Sequence, residues 1–181
     1  VTVTAPPTAD PRSESGRAVP LLALPATTRF RDLGEIARGG MGSVRRVYDT
    51  VLRREVAMKV SDPSNPYYAQ TALRFMEEAQ ITAQLDHPNI VAVHDLGTGI
   101  DGTGVFFTMK LVEGETLTAY LSRLHAAPYD HRAIERALHV FLKVCDALSF
   151  AHCRGVVHRD LKPDNVVVGS HGQVYLMDWG V

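Results

Sequence analysis

Cysteine is almost absent from these 181 residues, which carry only Cys145 and Cys153. The two fall in a helical pattern with about 12 Å of axial rise between them, beyond the reach of a disulfide. A disulfide framework is thereby excluded, and both read as reduced core or surface thiols. Charge of one sign is lacking too: 19 Lys and Arg stand against 20 Asp and Glu, a net charge of −1, so no bulk field points to nucleic acid or a membrane. No apolar run approaches the roughly eighteen residues of a membrane span. Val19 to Ala26 is apolar but short, is broken by Pro20 and Pro25, and lacks a signal-peptide layout. No His-x-x-x-His pair lies in a predicted helix, and no internal repeat occurs.

What is there suits an ordinary globular chain, 45% apolar, with enough material for one domain or two small lobes. Residues 1–28 are rich in Thr, Pro, Ala, Ser and Arg without a sustained period, so they are expected to be a disordered linker. Leu21-Leu22-Ala23-Leu24 is its one candidate docking segment.

From Arg29 the pattern turns to strand, glycine turn and strand: Phe30 to Ile36, then Ala37-Arg38-Gly39-Gly40-Met41-Gly42-Ser43-Val44, then Val47-Tyr48. Glycines between strands let backbone amides approach phosphate oxygens with no Cβ in the way. Val56-Ala57-Met58-Lys59 is an apolar strand ending in a lysine. Pro66 suits the first position of a helix after Ser64-Asn65, and Phe75, Glu78, Thr82 and Leu85 recur along that helix at three- and four-residue spacing. Glu78 therefore faces inward, where a carboxylate is costly without a cation, and Lys59 is the partner expected. The competing reading leaves Glu78 at the edge of the stripe, with Glu77 equally good.

Val91 to Leu96 and Val105 to Leu111 read as strands. Asp130 can cap a long helix ending near Gly155, on which Ile134, Leu138, Phe141, Cys145 and Leu148 form a stripe predicted to be ordinary core. The octet His158-Arg159-Asp160-Leu161-Lys162-Pro163-Asp164-Asn165 follows. Beyond it Val166-Val167-Val168, Gly169-Ser170-His171-Gly172 and Val174 to Met177 read as a β-hairpin, which would bring Asn165 and the Asp178 of Asp178-Trp179-Gly180 together at its open end. Both side chains offer hard oxygen donors, which suit Mg²⁺.

On these blocks, with Glu78-Ala79-Gln80 and His87-Pro88-Asn89-Ile90-Val91 between them, the chain from about Phe30 onward resembles the eukaryotic-like Ser/Thr protein kinases, most closely their bacterial members. The resemblance implies an α+β fold: a five-stranded antiparallel small lobe with one helix, residues 29–112, and the beginning of a mainly helical large lobe, residues 113–181. It implies transfer of the ATP γ-phosphate to protein Ser or Thr hydroxyls, with Mg²⁺, or Mn²⁺ in its place. Asp160 would orient the hydroxyl and accept its proton. Lys162 would neutralise the moving phosphate, Asn165 and Asp178 would hold metal, and Lys59 with Glu78 would position the phosphates. Ile36, Val44, Ala57 and Val167 would sandwich adenine, Ala37, Gly39, Gly40 and Gly42 would form the phosphate loop, and Met109 would be the gatekeeper. The backbone of Lys110 and Val112 would bond the purine. His158 is structural in this pattern.

The chain departs from the family at Ala37, which stands for the first loop glycine, at Lys110, where relatives commonly carry an acid, and at Trp179, which stands for phenylalanine. It begins at Val1 and ends one residue after Gly180, before the family's activation segment and A-P-E motif, and so reads as a fragment. Alone it is expected to bind MgATP weakly, to phosphorylate nothing, and to expose apolar surface on the Asp130 helix. A cytoplasmic location and a protein substrate complete the reading. The alternatives are a pseudokinase or scaffold, if the chain naturally stops at Val181, and a small-molecule phosphotransferase, which the Val-Ala-Met-Lys and His-Pro-Asn-Ile-Val blocks disfavour. Ala37→Gly restores the loop pattern. It is expected to change nucleotide affinity modestly, read by titration with a fluorescent ATP analogue, and to leave the reaction type unchanged.

Overall fold

The computed structural model describes residues 29–39, 42–99, 104–127 and 130–180. The expected linker with Leu21–Leu24, the loop residue Gly40 and the terminal Val181 lie outside the described residues. In chain order the elements are β1 (Phe30–Gly39), β2 (Gly42–Asp49), β3 (Arg54–Ser61), α1 (Tyr68–Ala83), β4 (Val93–Thr98), β5 (Val105–Met109), β6 (Gly114–Thr116), α2 (Leu117–Ala126), α3 (His131–His152), a single 3-10 turn (Pro163–Asn165), β7 (Val166–Gly169) and β8 (Val174–Leu176).

Strands β1 to β5 form one antiparallel sheet in the order β1-β2-β3-β5-β4. Side chains alternate between its two faces: Val47, Val56 and Phe106 are buried on one, and Ala57 and Phe107 on the other. Helix α1 lays Phe75 and Ala79 into a cluster with Ala57, Val91, Phe107 and Met109. The second unit has its own core, in which α3 packs Val140, Val144, Ala147 and Ala151 against Val166, Val174 and Leu176 of the β7–β8 hairpin. The α+β architecture is thus the one expected, with one addition. A short strand, β6, joins β7 and β8 to make a three-stranded sheet, and a Cβ at its Gly114 would meet the Val168 carbonyl oxygen at 2.3 Å.

Two local expectations need correction. Pro66 does not open α1: the helix begins at Tyr68 after an N-cap at Tyr67, which offers no side-chain bond. The turn before it is built by Asn65, whose side chain accepts the Tyr67 amide at 2.8 Å. On α3 the predicted core stripe is largely exposed, with Leu138 at 56% and Phe141 at 61%, while the neighbouring stripe Val140, Val144, Ala147 and Ala151 is buried. Only Leu148 of the predicted stripe packs on the core. The helix approaches the hairpin closely, so its small side chains turn inward, and the large ones lie uncovered among the described residues. Asp130 does cap α3, accepting the Arg132 amide at 3.0 Å. Both cysteines are free and exposed.

A buried carboxylate secures the β2–β3 turn. Asp49, 1% exposed, accepts from the Val51 and Leu52 amides at 3.0 and 3.1 Å and from the Arg29 guanidinium at 3.0 Å. Arg29 also reaches Asp95 on β4 at 2.6 Å, so one cation joins the two edges of the sheet. Burial pushes the Asp49 carboxyl up, but Arg29 and the two amides outweigh it and hold it below the usual carboxylate range. A depressed carboxyl contributes stability that is fully present above the ordinary value of about 4 and is lost as pH falls through the folded value. Asp49→Asn is therefore expected to cost about 1–3 kcal/mol at neutral pH, and to flatten the acid side of the melting-temperature profile measured by calorimetry.

Candidate active site

Lys59 leaves β3 from a position opposite Val44 on β2 and Phe107 on β5. Strand alternation turns its side chain toward α1, where its ammonium lies 2.6 Å from Glu78 and 3.1 Å from Asp178. Glu78 is buried and Glu77 is not part of this contact, so the inward position on the helix is the paired one. Burial pulls the Lys59 ammonium down, but Asp178 and Glu78 outweigh it and leave it above the ordinary lysine value. Glu78 has one cation against both burial and the like charge of Asp178. Burial dominates, and its carboxyl stands above the usual range.

The triad opens on a cavity of about 360 Å³ between the sheet and the second unit. Ala37, Gly39, Gly42 and Val44 line it from the glycine turn, and Asp160 and Asp178 from below. Gly42 has φ +148°, and a Cβ there would meet the Val60 carbonyl oxygen at 1.9 Å, so only glycine fits. At Gly39 a Cβ would meet nothing within 4 Å. Size alone does not single out this cavity. A hollow of about 650 Å³ lies between α2, α3 and the β7–β8 turn, but its cations are engaged: Arg123 with Glu115, Arg136 with Asp130, and Lys143 with the Gly172 carbonyl.

Below the cavity, the loop from His158 to Asn165 is held from several sides. His158 is buried, and its Nε2 lies 3.0 Å from the Met177 carbonyl. Burial holds the ring below the ordinary histidine value, which makes that nitrogen a donor from a neutral imidazole. The ring also packs on Trp179, itself 1% exposed, at 4.8 Å between centroids. The indole N–H and His158 Nδ1 find no partner in the described residues. The Gly180 amide donates to the His158 carbonyl at 2.9 Å. Arg159 and Asp178 have φ of 63° and 55°, a region that costs most residues energy and that Asp tolerates better.

Asp160 accepts from Lys162 Nζ at 2.7 Å and from Asn165 Nδ2 at 3.1 Å. Lys162 and then Asn165 hold its carboxyl below the usual range. Asn165 Nδ2 also donates to the Asp160 carbonyl at 2.8 Å, which leaves the amide oxygen Oδ1 as its free donor atom. The Met177 amide bonds the Asn165 carbonyl at 2.9 Å, which places Asn165 across the open end of the hairpin from the residue that precedes Asp178. Two hard oxygens fit a divalent ion that completes its shell from phosphates and water. Among the described residues no cluster of three or more His, Cys, Asp or Glu side chains forms a protein-only cage.

The remaining predicted positions sit around the rear of the cleft. Ala57 pairs with Met109 across β3 and β5, and Val44, Leu111 and Val112 pack on the same cluster. Val167 is buried on β7, while Ile36 falls in a β-bulge and is 52% exposed. The Lys110 amide donates to the Ala92 carbonyl at 2.9 Å and is therefore already engaged. No hydrogen bond among the described residues engages the Val112 amide. Two features escaped the sequence reading. Asn89 bridges the units: its carbonyl accepts the Leu176 amide at 2.8 Å, and its side chain donates to the Val174 carbonyl at 3.0 Å. Lys110 reaches the Tyr175 hydroxyl at 2.5 Å. The His-Pro-Asn-Ile-Val block marked the first; nothing local marked the second.

Residues 30–181 match the family model described as protein kinase domain. The chain is 33% identical over 159 residues to the serine/threonine-protein kinase PknD of Protochlamydia amoebophila, covering 84% of this chain and 16% of that protein. It is 37% identical over 163 residues to the PknD kinase of Chlamydia muridarum, covering 84% and 17%. Against the PknD kinase of Chlamydia caviae it is 35% identical over 158 residues. The chain spans about a sixth of the length of these curated relatives. A family match along nearly all of the described residues, carried by a five-stranded sheet, a paired lysine and a shared cleft, means that this chain belongs to the protein kinase domain family.

Proposed function

We propose that this domain binds ATP with a divalent ion, Mg²⁺ foremost, and transfers the γ-phosphate to Ser or Thr hydroxyls of a protein substrate. The observation that carries the reading is the single cavity onto which Lys59, Glu78, Asp178, Asp160 and the glycine turn all open. Lys59, held by Glu78, orients the phosphates, and Asn165 Oδ1 with Asp178 supplies the protein's share of the metal shell. The bound ion, for its part, offsets the charge of the β- and γ-phosphates. The purine is received by the Lys110 carbonyl and the Val112 amide, between Val44 and Ala57 above and Val167 below. Ile36 takes part through its main chain and by folding over the ring.

Asp160 aims the substrate hydroxyl. As the new O–P bond forms and the bond to the ADP oxygen breaks, the hydroxyl proton passes to this carboxylate, and Lys162 offsets the charge of the moving phosphoryl group. Lys162 and Pro163 favour Ser and Thr over Tyr by family pattern, in keeping with the serine/threonine-protein kinases that the chain resembles.

Two outcomes test this in the protein carrying the domain. Asp160→Asn is expected to leave ATP affinity nearly intact and to lower transfer from radiolabelled ATP to a Ser/Thr peptide by on the order of 10²-fold or more; unchanged turnover defeats the assignment. Lys59→Met and Glu78→Gln are each expected to impair transfer, and the double variant to be scarcely worse than either, because the two break one unit. Full additivity in that cycle would mean that the pair is not a working unit.

A further inference from the structure

The side chain of Lys110 stands where the chain departs from the family pattern, and it crosses between the two units. Residues 110–113 are the connection along which the chain passes from β5 to β6, out of the five-stranded sheet and into the three-stranded one. The first unit holds the start of this connection by main chain, since the Lys110 amide donates to the Ala92 carbonyl at 2.9 Å. The second unit holds it by side chain: Lys110 Nζ donates to the Tyr175 hydroxyl of β8 at 2.5 Å. Lys110 is therefore bonded to both.

Tyr175 is placed to make use of this bond. It pairs with Val167 across β7 and β8, and directly opposed residues of an antiparallel pair point to the same face. Val166, Val168, Val174 and Leu176 alternate with these two and enter the core beneath, against α3. Val167 and Tyr175 thus share the opposite face, which looks toward the connection. In the reading above Val167 is the floor of the purine slot, and the Lys110 carbonyl and the Val112 amide are its edge. One side-chain bond, from Lys110 to the cross-strand neighbour of Val167, joins edge to floor. Its donor is charged, which strengthens it, and its acceptor ring is half-buried on a strand.

We propose that the Lys110–Tyr175 bond fixes the connection against the β7–β8 hairpin and thereby sets how well the slot holds the purine. The proposal rests on the nucleotide-site reading above. A connection without regular secondary structure loses conformational freedom when its backbone is ordered around a base, and one tied down beforehand loses less. Neither side chain lines the cavity on which Lys59, Asp160 and Asp178 open, so the effect falls on the base and spares the phosphates. Lys110 and Tyr175 are positioning residues.

The test compares a ligand that has the base with one that lacks it, adenosine against tripolyphosphate with Mg²⁺, on the full chain. Both are read by displacement of fluorescent methylanthraniloyl-ATP, whose own affinity is first measured for each variant. Lys110→Met and Tyr175→Phe, which remove donor and acceptor with little change of shape, are each expected to weaken adenosine by about threefold. The double variant is expected to be no worse than either, because the two changes break one bond. Tripolyphosphate is expected to bind the variants and the unsubstituted chain alike. Equal losses for adenosine and tripolyphosphate would reduce the contact to general support of the fold and overturn the proposal. Unchanged adenosine affinity, or losses that add in full in the double variant, would overturn it as well. Failure of the unsubstituted chain to bind the labelled ATP at all would overturn the nucleotide-site reading itself, and the role of Lys110 and Tyr175 with it.

Discussion

The Lys59 ammonium, 2.6 Å from Glu78 and 3.1 Å from Asp178, ties β3, α1 and the segment after β8 to one point. Its surroundings make that tie costly to break. Lys59 and Glu78 are largely removed from water, and taking away one partner leaves the other as an uncompensated buried charge, which is worse than never having placed the pair there. Helix α1 therefore has a strongly preferred rotation, with Phe75 and Ala79 in the small-lobe core and Glu78 on the cleft side of that core. Asp178 is more exposed than Glu78, so the same cation holds one rigid partner and one that faces the cleft.

That geometry depends on how the second unit is hung from the first. The connection is a short main-chain exchange: the Leu176 amide to the Asn89 carbonyl, and the Val91 amide to the Leu176 carbonyl at 3.2 Å. Ile90 and Leu176 form an isolated parallel bridge, so the segment after α1 acts as an extra edge for β8. His87 extends the anchor by packing its ring 5.0 Å from that of Phe150 on α3. With β8 held at this height, Met177 bonds Asn165 and the next residue, Asp178, arrives beneath Lys59. Asp178, the lysine and the glycine turn thus share a cavity because the backbone of β8 is gripped from above.

Much of this was legible from local pattern. Glu78 followed from helical spacing combined with the cost of an unpaired buried carboxylate, and the hairpin from two valine-rich runs around glycine turn letters. What remained hidden depends on partners distant in sequence or on geometry that spacing does not encode. The stripe Ile134, Leu138, Phe141 and Cys145 looks more apolar than Val140, Val144, Ala147 and Ala151, yet the smaller set is buried because close approach to the hairpin rewards small side chains. The Asn89 and Lys110 contacts reach residues 85 and 65 positions away. The bulges of β1 leave no signature in an alternating pattern except a disturbance of phase.

The electrostatics of Asp160 bear on the kind of help it gives in the proposed reaction. Lys162 and Asn165 both donate to it and hold its carboxyl low, so at neutral pH it is a fully formed carboxylate and a weak base. For a reaction that needed an early proton removal this would be a poor choice, since a general base works best with a value near the operating pH. Phosphoryl transfer through a loose transition state makes no such demand, because the attacking oxygen gains little bond order before the leaving bond has lengthened. The hydroxyl then needs to be aimed more than ionised, and its proton becomes acidic only late in the transfer. A carboxylate fixed by two donors, with Asn165 also clamping its own main chain at 2.8 Å, is suited to aiming, and the same bonds that lower its basicity give it that fixed direction.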